Sequence, residues 1–269
     1  MKTITTGLIS ALIVGTVYAA GPLQVSIDHE MRAGTSVSNS VRNARAQSAQ
    51  GIDVSRILSQ CREVRASEQL QKIAADVDNQ SPARQRALAT LERRCAGFTD
   101  GELTDTAERE TIFNAIQAAD PQTVAVTQFI DATRQLSTLL PVERRGLVAN
   151  VLALQDAVAI DDLGIRLFLH RSPKGAVAYF QGEEYLLTSD PDISYSVPLV
   201  KCELGQDCGP SEREVLTTCI YQGKCVGTLY ELVEERAAAA GKDTAVVKQM
   251  AKEIASAIRR SDIDAFVRD

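Results

Sequence analysis

From residue 53 onward the apolar positions recur at three- and four-residue spacing, the period of helices that bury one face. Val54, Ile57, Leu58, Cys61 and Val64 mark the first such face behind Asp53 as N-cap, and Leu70, Ile73, Ala74 and Val77 the second behind Ser67. Ser81-Pro82 sets a capping hydroxyl before a proline at the first helical position, so a third helix runs through Ala87, Leu88, Leu91 and Cys95 until Gly97 stops it. Asp105 and Glu108 form a capping-box pattern ahead of a fourth helix carrying Ile112, Phe113, Ile116 and Ala119. Asp120-Pro121 repeats the cap-then-proline signal for a fifth, which places Val126, Phe129, Ile130, Thr133, Ser137 and Leu140 on one side and ends at Pro141. A sixth, from Val142 to Ile160, turns Leu147, Val148, Val151, Leu152 and Val158 inward.

The pattern weakens between Asp161 and Pro198. Ile165 to Leu169 reads as a strand or a helix end, and Ala176 to Leu187 as a helix or as a hairpin turning at Gln181-Gly182, with helices the favoured expectation. Helical signals then return. Pro198 can begin a short helix that delivers Cys202, and Ser211 can cap one through Val215, Leu216, Cys219 and Ile220. Leu229, Leu232 and Val233 start the next. Val246, Val247, Met250, Ile254, Ala257 and Ile258 line a last long helix that ends in Arg259-Arg260, where positive charge suits the helix dipole. Asp262 to Phe266 reads as a closing turn that packs Phe266 on the bundle. The fold class expected is all-α: stacked antiparallel helical hairpins, as a helical bundle or an irregular α-solenoid, with disulfide-stapled loops.

Ahead of the helices, Lys2, the apolar run from Leu8 to Val17 and the small residues near Ala19 resemble a cleaved secretory signal, residues 1–19. The run is too short for a membrane span, which takes about 20 apolar residues. No later run reaches that length, so no stable membrane insertion is expected after cleavage. Residues 20–51, rich in Ser, Asn, Arg and Gln, read as a flexible leader with a short helix near Val41 to Ala49. Two helical regions follow, 52–160 and a cysteine-stapled 161–269.

Export makes the six cysteines candidate disulfides. Cys61 and Cys95 end helices on the same side of an up-down-up arrangement, so a Cys61–Cys95 bridge is geometrically reasonable. The other four form two C-x5-C spans, with Gly205 in one loop and Gly223 in the other. Cys202–Cys208 and Cys219–Cys225 are favoured; pairing Cys208 with Cys219, or crossing the loops, is the alternative. The spans are wider than the two to four residues usual between ligands in structural zinc sites.

Composition narrows function mostly by exclusion. Hydrophobic residues are 45% of the 269, ample for a core, but aromatics are only 4%, which disfavours base-stacking or sugar-binding surfaces. A net charge of −6 without a basic cluster argues against nucleic acid. HExxH, G-x-S-x-G, Walker and dinucleotide-binding patterns are absent, so no metal or cofactor is expected. His29 reads as solvated and His170 as structural or solvated. Asp161-Asp162 reads as a helix junction. Glu183-Glu184 is the remaining catalytic candidate, because Tyr179, Phe180 and Tyr185 surround it and a desolvated carboxylate suffices for general acid work.

The segment LVKCELGQDCGPSEREVLTTCIYQGKCVG, with the later AIRRSDIDAF, resembles the C-terminal region of uncharacterised secreted α-helical proteins of proteobacteria. The earlier helices are loosely similar to tetratricopeptide-type hairpins without their signature aromatics. The resemblance implies an all-α, disulfide-stapled fold and carries no activity or site. The function expected is therefore a non-enzymatic periplasmic or secreted module that binds a protein partner. The alternatives are a carboxylate-dependent envelope hydrolase using Glu183 or Glu184, and an inhibitor or immunity protein for an envelope toxin.

Overall fold

The computed structural model describes residues 37–46, 51–76, 81–104, 120–134, 139–172, 175–189 and 191–268. The expected signal segment, His29 and the expected fourth helix with Ile112, Phe113, Ile116 and Ala119 lie outside them. Twelve α-helices are present among the described residues. They are α1 (Ser38–Ala46), α2 (Gly51–Ala66), α3 (Glu68–Ala75), α4 (Pro82–Cys95), α5 (Asp100–Thr104) and α6 (Pro121–Thr133), followed by α7 (Pro141–Ala153), α8 (Ala157–Leu163), α9 (Asp192–Glu203), α10 (Arg213–Gln222), α11 (Leu229–Ala239) and α12 (Thr244–Arg259). None is long and apolar enough to cross a membrane.

The start signals act as their chemistry requires. Ser67 Oγ accepts from Leu70 N at 3.2 Å, Ser81 Oγ from Arg84 N at 3.2 Å, and Asp120 Oδ2 from Thr123 N at 3.1 Å. Each satisfies one of the amides left bare at a helix start. Gly97, with φ 87°, follows α4 as the stop. Other boundaries moved. Glu212 rather than Ser211 caps α10, accepting from Glu214 N at 2.6 Å and Val215 N at 3.0 Å, because a carboxylate reaches two amides at once. Pro198 lies inside α9 rather than at its start. Pro141 opens α7 instead of closing α6, which ends at Thr133. The expected sixth helix is two, broken where Gln155 takes φ 50° and Asp156 starts α8 by accepting from Ala159 N at 2.8 Å.

The all-α expectation is corrected in the middle of the chain. Leu169–Ser172 (β1), Gly175–Phe180 (β2) and Glu183–Leu186 (β3) form an antiparallel sheet in the order β1-β2-β3. Gln181 and Gly182 join β2 to β3 with φ values of 50° and 90°, the left-handed pair that a two-residue hairpin turn demands. A helix through Gly175–Leu186 would have had to accommodate this glycine and the Val-Ala-Tyr-Phe run, both better suited to a hairpin.

The buried side chains form three apolar clusters that do not follow chain order. One joins α1 to α5 with α10, through Val37, Val41, Ile57, Leu91, Phe98 and Ile220 among others. A second joins α9, α10, α11 and α12 through Leu199, Val215, Leu232 and Val247. The third packs α6, α7, α8, the sheet, α9 and α12 around Phe129, Val151, Leu163, Phe180, Ile193 and Ile258. Helix α10 therefore gives Val215 to one cluster and Leu216, Cys219 and Ile220 to another. Polar contacts reinforce its seat: Arg84 Nε donates to Ile220 O at 2.7 Å, and Tyr221 Oη donates to Glu63 at 2.8 Å. Helix α1, within the stretch read as leader, is held by Arg42, whose Nε and Nη2 donate to the two oxygens of Glu102 at 2.6 and 2.8 Å. The Arg42 hydrogen bond holds the Glu102 carboxyl down at about 2 against the opposing effect of burial.

The six cysteines stand in three pairs at disulfide distance, those the sequence reading favoured. Cα separations are 5.2 Å for Cys61 and Cys95, 5.7 Å for Cys202 and Cys208, and 4.2 Å for Cys219 and Cys225. Gly205 at φ 101° and Gly223 at φ 72° turn the two short loops back on their helices, a conformation that side-chain-bearing residues disfavour. The pairs differ in the loop they close, 34 residues against six. Chain entropy then predicts that replacing Cys61 and Cys95 together by Ala costs about 4 kcal/mol, and replacing Cys219 and Cys225 about 2 kcal/mol. Urea unfolding of the oxidised variants checks this order, and equal losses would contradict it.

Candidate functional site

Glu183 and Glu184 are exposed on β3. Successive strand residues face opposite sides of a sheet, so the two carboxylates diverge instead of forming a pair. Glu183 sits opposite Phe180 and Glu184 opposite Tyr179. Each already has a partner: Tyr185 Oη donates to Glu183 at 3.0 Å, and Arg268 pairs with Glu184. Burial and the neighbouring Glu183 push the Tyr185 phenol up to about 12. The aromatic residues that made this stretch a candidate are divided between locations. Phe180 enters the core against Phe168 and Phe266, with ring centroids 6.0 and 5.6 Å away, while Tyr179 lies 5.2 Å from the His170 ring on the other face. The desolvated cleft that general acid catalysis calls for is not built around either glutamate.

His170 is instead a buried group at a junction. Strand β1 carries it at 9% exposure. Its Nε2 lies 3.1 Å from Arg144 Nε, a donor, and 2.9 Å from Phe266 O, an acceptor. Arg144, on the inner face of α7 at 4% exposure, also donates through Nη2 to Leu167 O at 2.8 Å and lies over the Phe129 ring at 5.7 Å. Its Nη1 has no hydrogen-bond partner among the described residues. Burial draws the Arg144 guanidinium down to about 10. Burial, then the charge of Arg144, draws His170 down to about 4, opposed by the bond to Phe266 O. The sequence reading did not single out Arg144. A signal was available, because Arg144 stands in one stripe with Val148 and Val151, where an arginine interrupts apolar spacing.

Asp161 and Asp162 belong to α8, and Asp161, half-buried, enters a second charged cluster. Lys201 of α9, at 6% exposure, places Nζ 2.8 Å from Glu212 and 3.3 Å from Asp161, and Arg56 of α2 also pairs with Asp161. Arg94 of α4 approaches the same joint. Its Nη2 donates to Ser211 O at 2.8 Å and its Nη1 to Gln60 Oε1 at 3.3 Å. Burial lowers the Arg94 guanidinium and Glu212 counters it; burial raises the Asp162 carboxyl, with Arg56 opposing. Asp161 and Glu212 are thus engaged by cations of the chain itself, and no acidic, histidine or cysteine group able to hold a metal occurs among the described residues.

Removing one member of such a cluster strands its partners. Lys201→Met is expected to destabilise by about 3 kcal/mol, because the half-buried Glu212 loses its cation while Asp161 keeps only Arg56. Adding Glu212→Gln to that variant is expected to recover part of the loss in the same denaturation experiment, and equal stability of Lys201→Met and wild type would contradict the assignment. No protein-family model, no curated protein and no solved structure matches the chain.

Proposed function

We propose that the protein is a non-enzymatic exported scaffold, with helices stacked as antiparallel hairpins, that binds another protein in the periplasm or outside a bacterial cell. The observation that carries this reading is the start of α7. Leu140 and Val142, on either side of Pro141, are 56% and 72% exposed, while Arg144, Val148, Val151 and Leu152 of the same helix are buried. A helix anchored this firmly by one face presents its exposed apolar side chains with little entropy left to lose on binding. Leu140 N donates to Glu143 Oε2 at 3.0 Å, which also orders the backbone there.

Export is supported by the three cysteine pairs, since disulfides persist in oxidising compartments. Glu183 and Glu184 have no part in the binding reading, so Glu183→Gln with Glu184→Gln leaves partner capture unchanged.

A photo-crosslinking amino acid placed at Val142 tests the proposal, with the same group at the exposed Glu92 of α4 as control. Irradiated cells should give one reproducible protein adduct from position 142, absent from position 92 and weakened at least several-fold by Leu140→Asp. The same adducts from both positions, or none from 142, would remove the support for this surface.

A further inference from the structure

We propose that His170 is an acid-responsive latch: protonation of its buried ring opens the seam at which α7, β1 and the C-terminal segment 263–268 meet. That segment is closed onto the body by several separate contacts. Phe266, fully buried, sits between Phe168 at 5.5 Å and Phe180 at 5.6 Å. Gln181 N donates to Ala265 O at 2.9 Å, Arg145 pairs with Asp264, and Arg268 pairs with Glu184. The Nε2 of His170 lies within hydrogen-bond distance both of Arg144 on α7 and of Phe266 O in the segment.

One imidazole nitrogen cannot serve both neighbours. Arg144 Nε, at 3.1 Å, needs the Nε2 lone pair; Phe266 O, at 2.9 Å, needs an Nε2 proton. A neutral ring can take either tautomer without adding charge. A protonated ring is fixed as a donor, and it holds a positive charge against the N–H of a guanidinium that is itself buried. Phe266 O accepts from the protonated ring and offsets part of its charge, but the other groups facing it do not. From α7 comes Arg144, from the C-terminal segment the positive Arg268, and from β2 the Tyr179 ring at 5.2 Å. The nearby carboxylates Asp264 and Glu184 are engaged by Arg145 and Arg268, and neither His170 nor Arg144 forms an ion pair with a carboxylate among the described residues. Two adjacent cations in so buried a place favour separation of α7 from β1 and the segment.

The direction with pH follows from linkage. His170 binds its proton at about 4 in the folded chain and at the ordinary 6.5 when unfolded. Its contribution is therefore complete above pH 6.5 and is lost as pH falls toward 4. From pH 7 to pH 5 the folded-to-unfolded ratio should drop by about 20-fold through this group alone. Glu102, held at about 2, loses its contribution only below its ordinary 4.5, outside that interval.

The chain contains two histidines, so proton NMR of the full protein resolves the titration directly. The His170 ring should titrate below pH 5. Hydrogen exchange, corrected for the intrinsic pH effect, should show Phe266 and Val267 amides losing protection by at least several-fold between pH 7 and pH 5. His170→Gln, whose amide can donate to Phe266 O and accept from Arg144 together, should abolish that loss. Should His170→Gln fold poorly, Arg144→Met provides the second arm, raising the His170 titration toward 6.5. A His170 midpoint at or above 6.5 in the wild type, or segment protection unchanged at pH 5, would overturn the proposal.

Discussion

Lys201 is a cation withdrawn from water, and the arrangement of the chain around it follows from the need to keep it paired. An ammonium at 6% exposure is tolerable only with carboxylates at contact distance. Those come from α8 as Asp161 and from the N-cap of α10 as Glu212, at 3.3 and 2.8 Å. Arg56 of α2 also pairs with Asp161. Four helices from distant parts of the sequence therefore converge on one small polar joint, and the three apolar clusters meet about it. Hydrophobic burial supplies most of the stabilisation and is non-directional; the joint ties together helices that also pack in different clusters.

Helix α10 shows how this works. Its N-terminus is held by Glu212, which caps the helix with one oxygen and binds Lys201 with the other. Its outer turns bury Leu216, Cys219 and Ile220 among α1 to α5, far earlier in the chain. The cysteine pairs act on another scale. Cys202–Cys208 and Cys219–Cys225 shape the loops on each side of α10, and Cys61–Cys95 ties α2 to α4. Staples of this kind keep helix ends in place but do not choose the long-range partners.

Much of the helical frame was legible because its signals are local. A hydroxyl or carboxylate before the first turn, a proline at its first position and a glycine at its end act within four residues, and Ser67, Ser81 and Asp120 cap as their spacing indicates. The two short cysteine spans were legible for a similar reason, whereas Cys61–Cys95, 34 residues apart, was read from the expected order of the helices. The sheet was harder, since a six-residue strand such as Gly175–Phe180 has too few residues to separate a period of two from one of 3.6, and only the Gln181-Gly182 turn favoured the hairpin. Lys201 and Arg144 escaped notice because charged residues are ordinarily placed on the outer face, and what buries them comes from residues far along the chain. Glu183-Glu184 misled in the opposite way: neighbours in sequence, with aromatic company, they diverge once the segment is a strand.

Native-state hydrogen exchange of the oxidised protein tests the joint most directly. If the Lys201 cluster makes the three apolar clusters one cooperative unit, the slowest amides of α2, α9, α10 and α12 open with a common free energy and a common denaturant dependence. If α1 to α5 instead open independently of α9 and α12 at a clearly lower free energy, the buried charges do not couple the clusters, and the account of how this chain holds together is wrong.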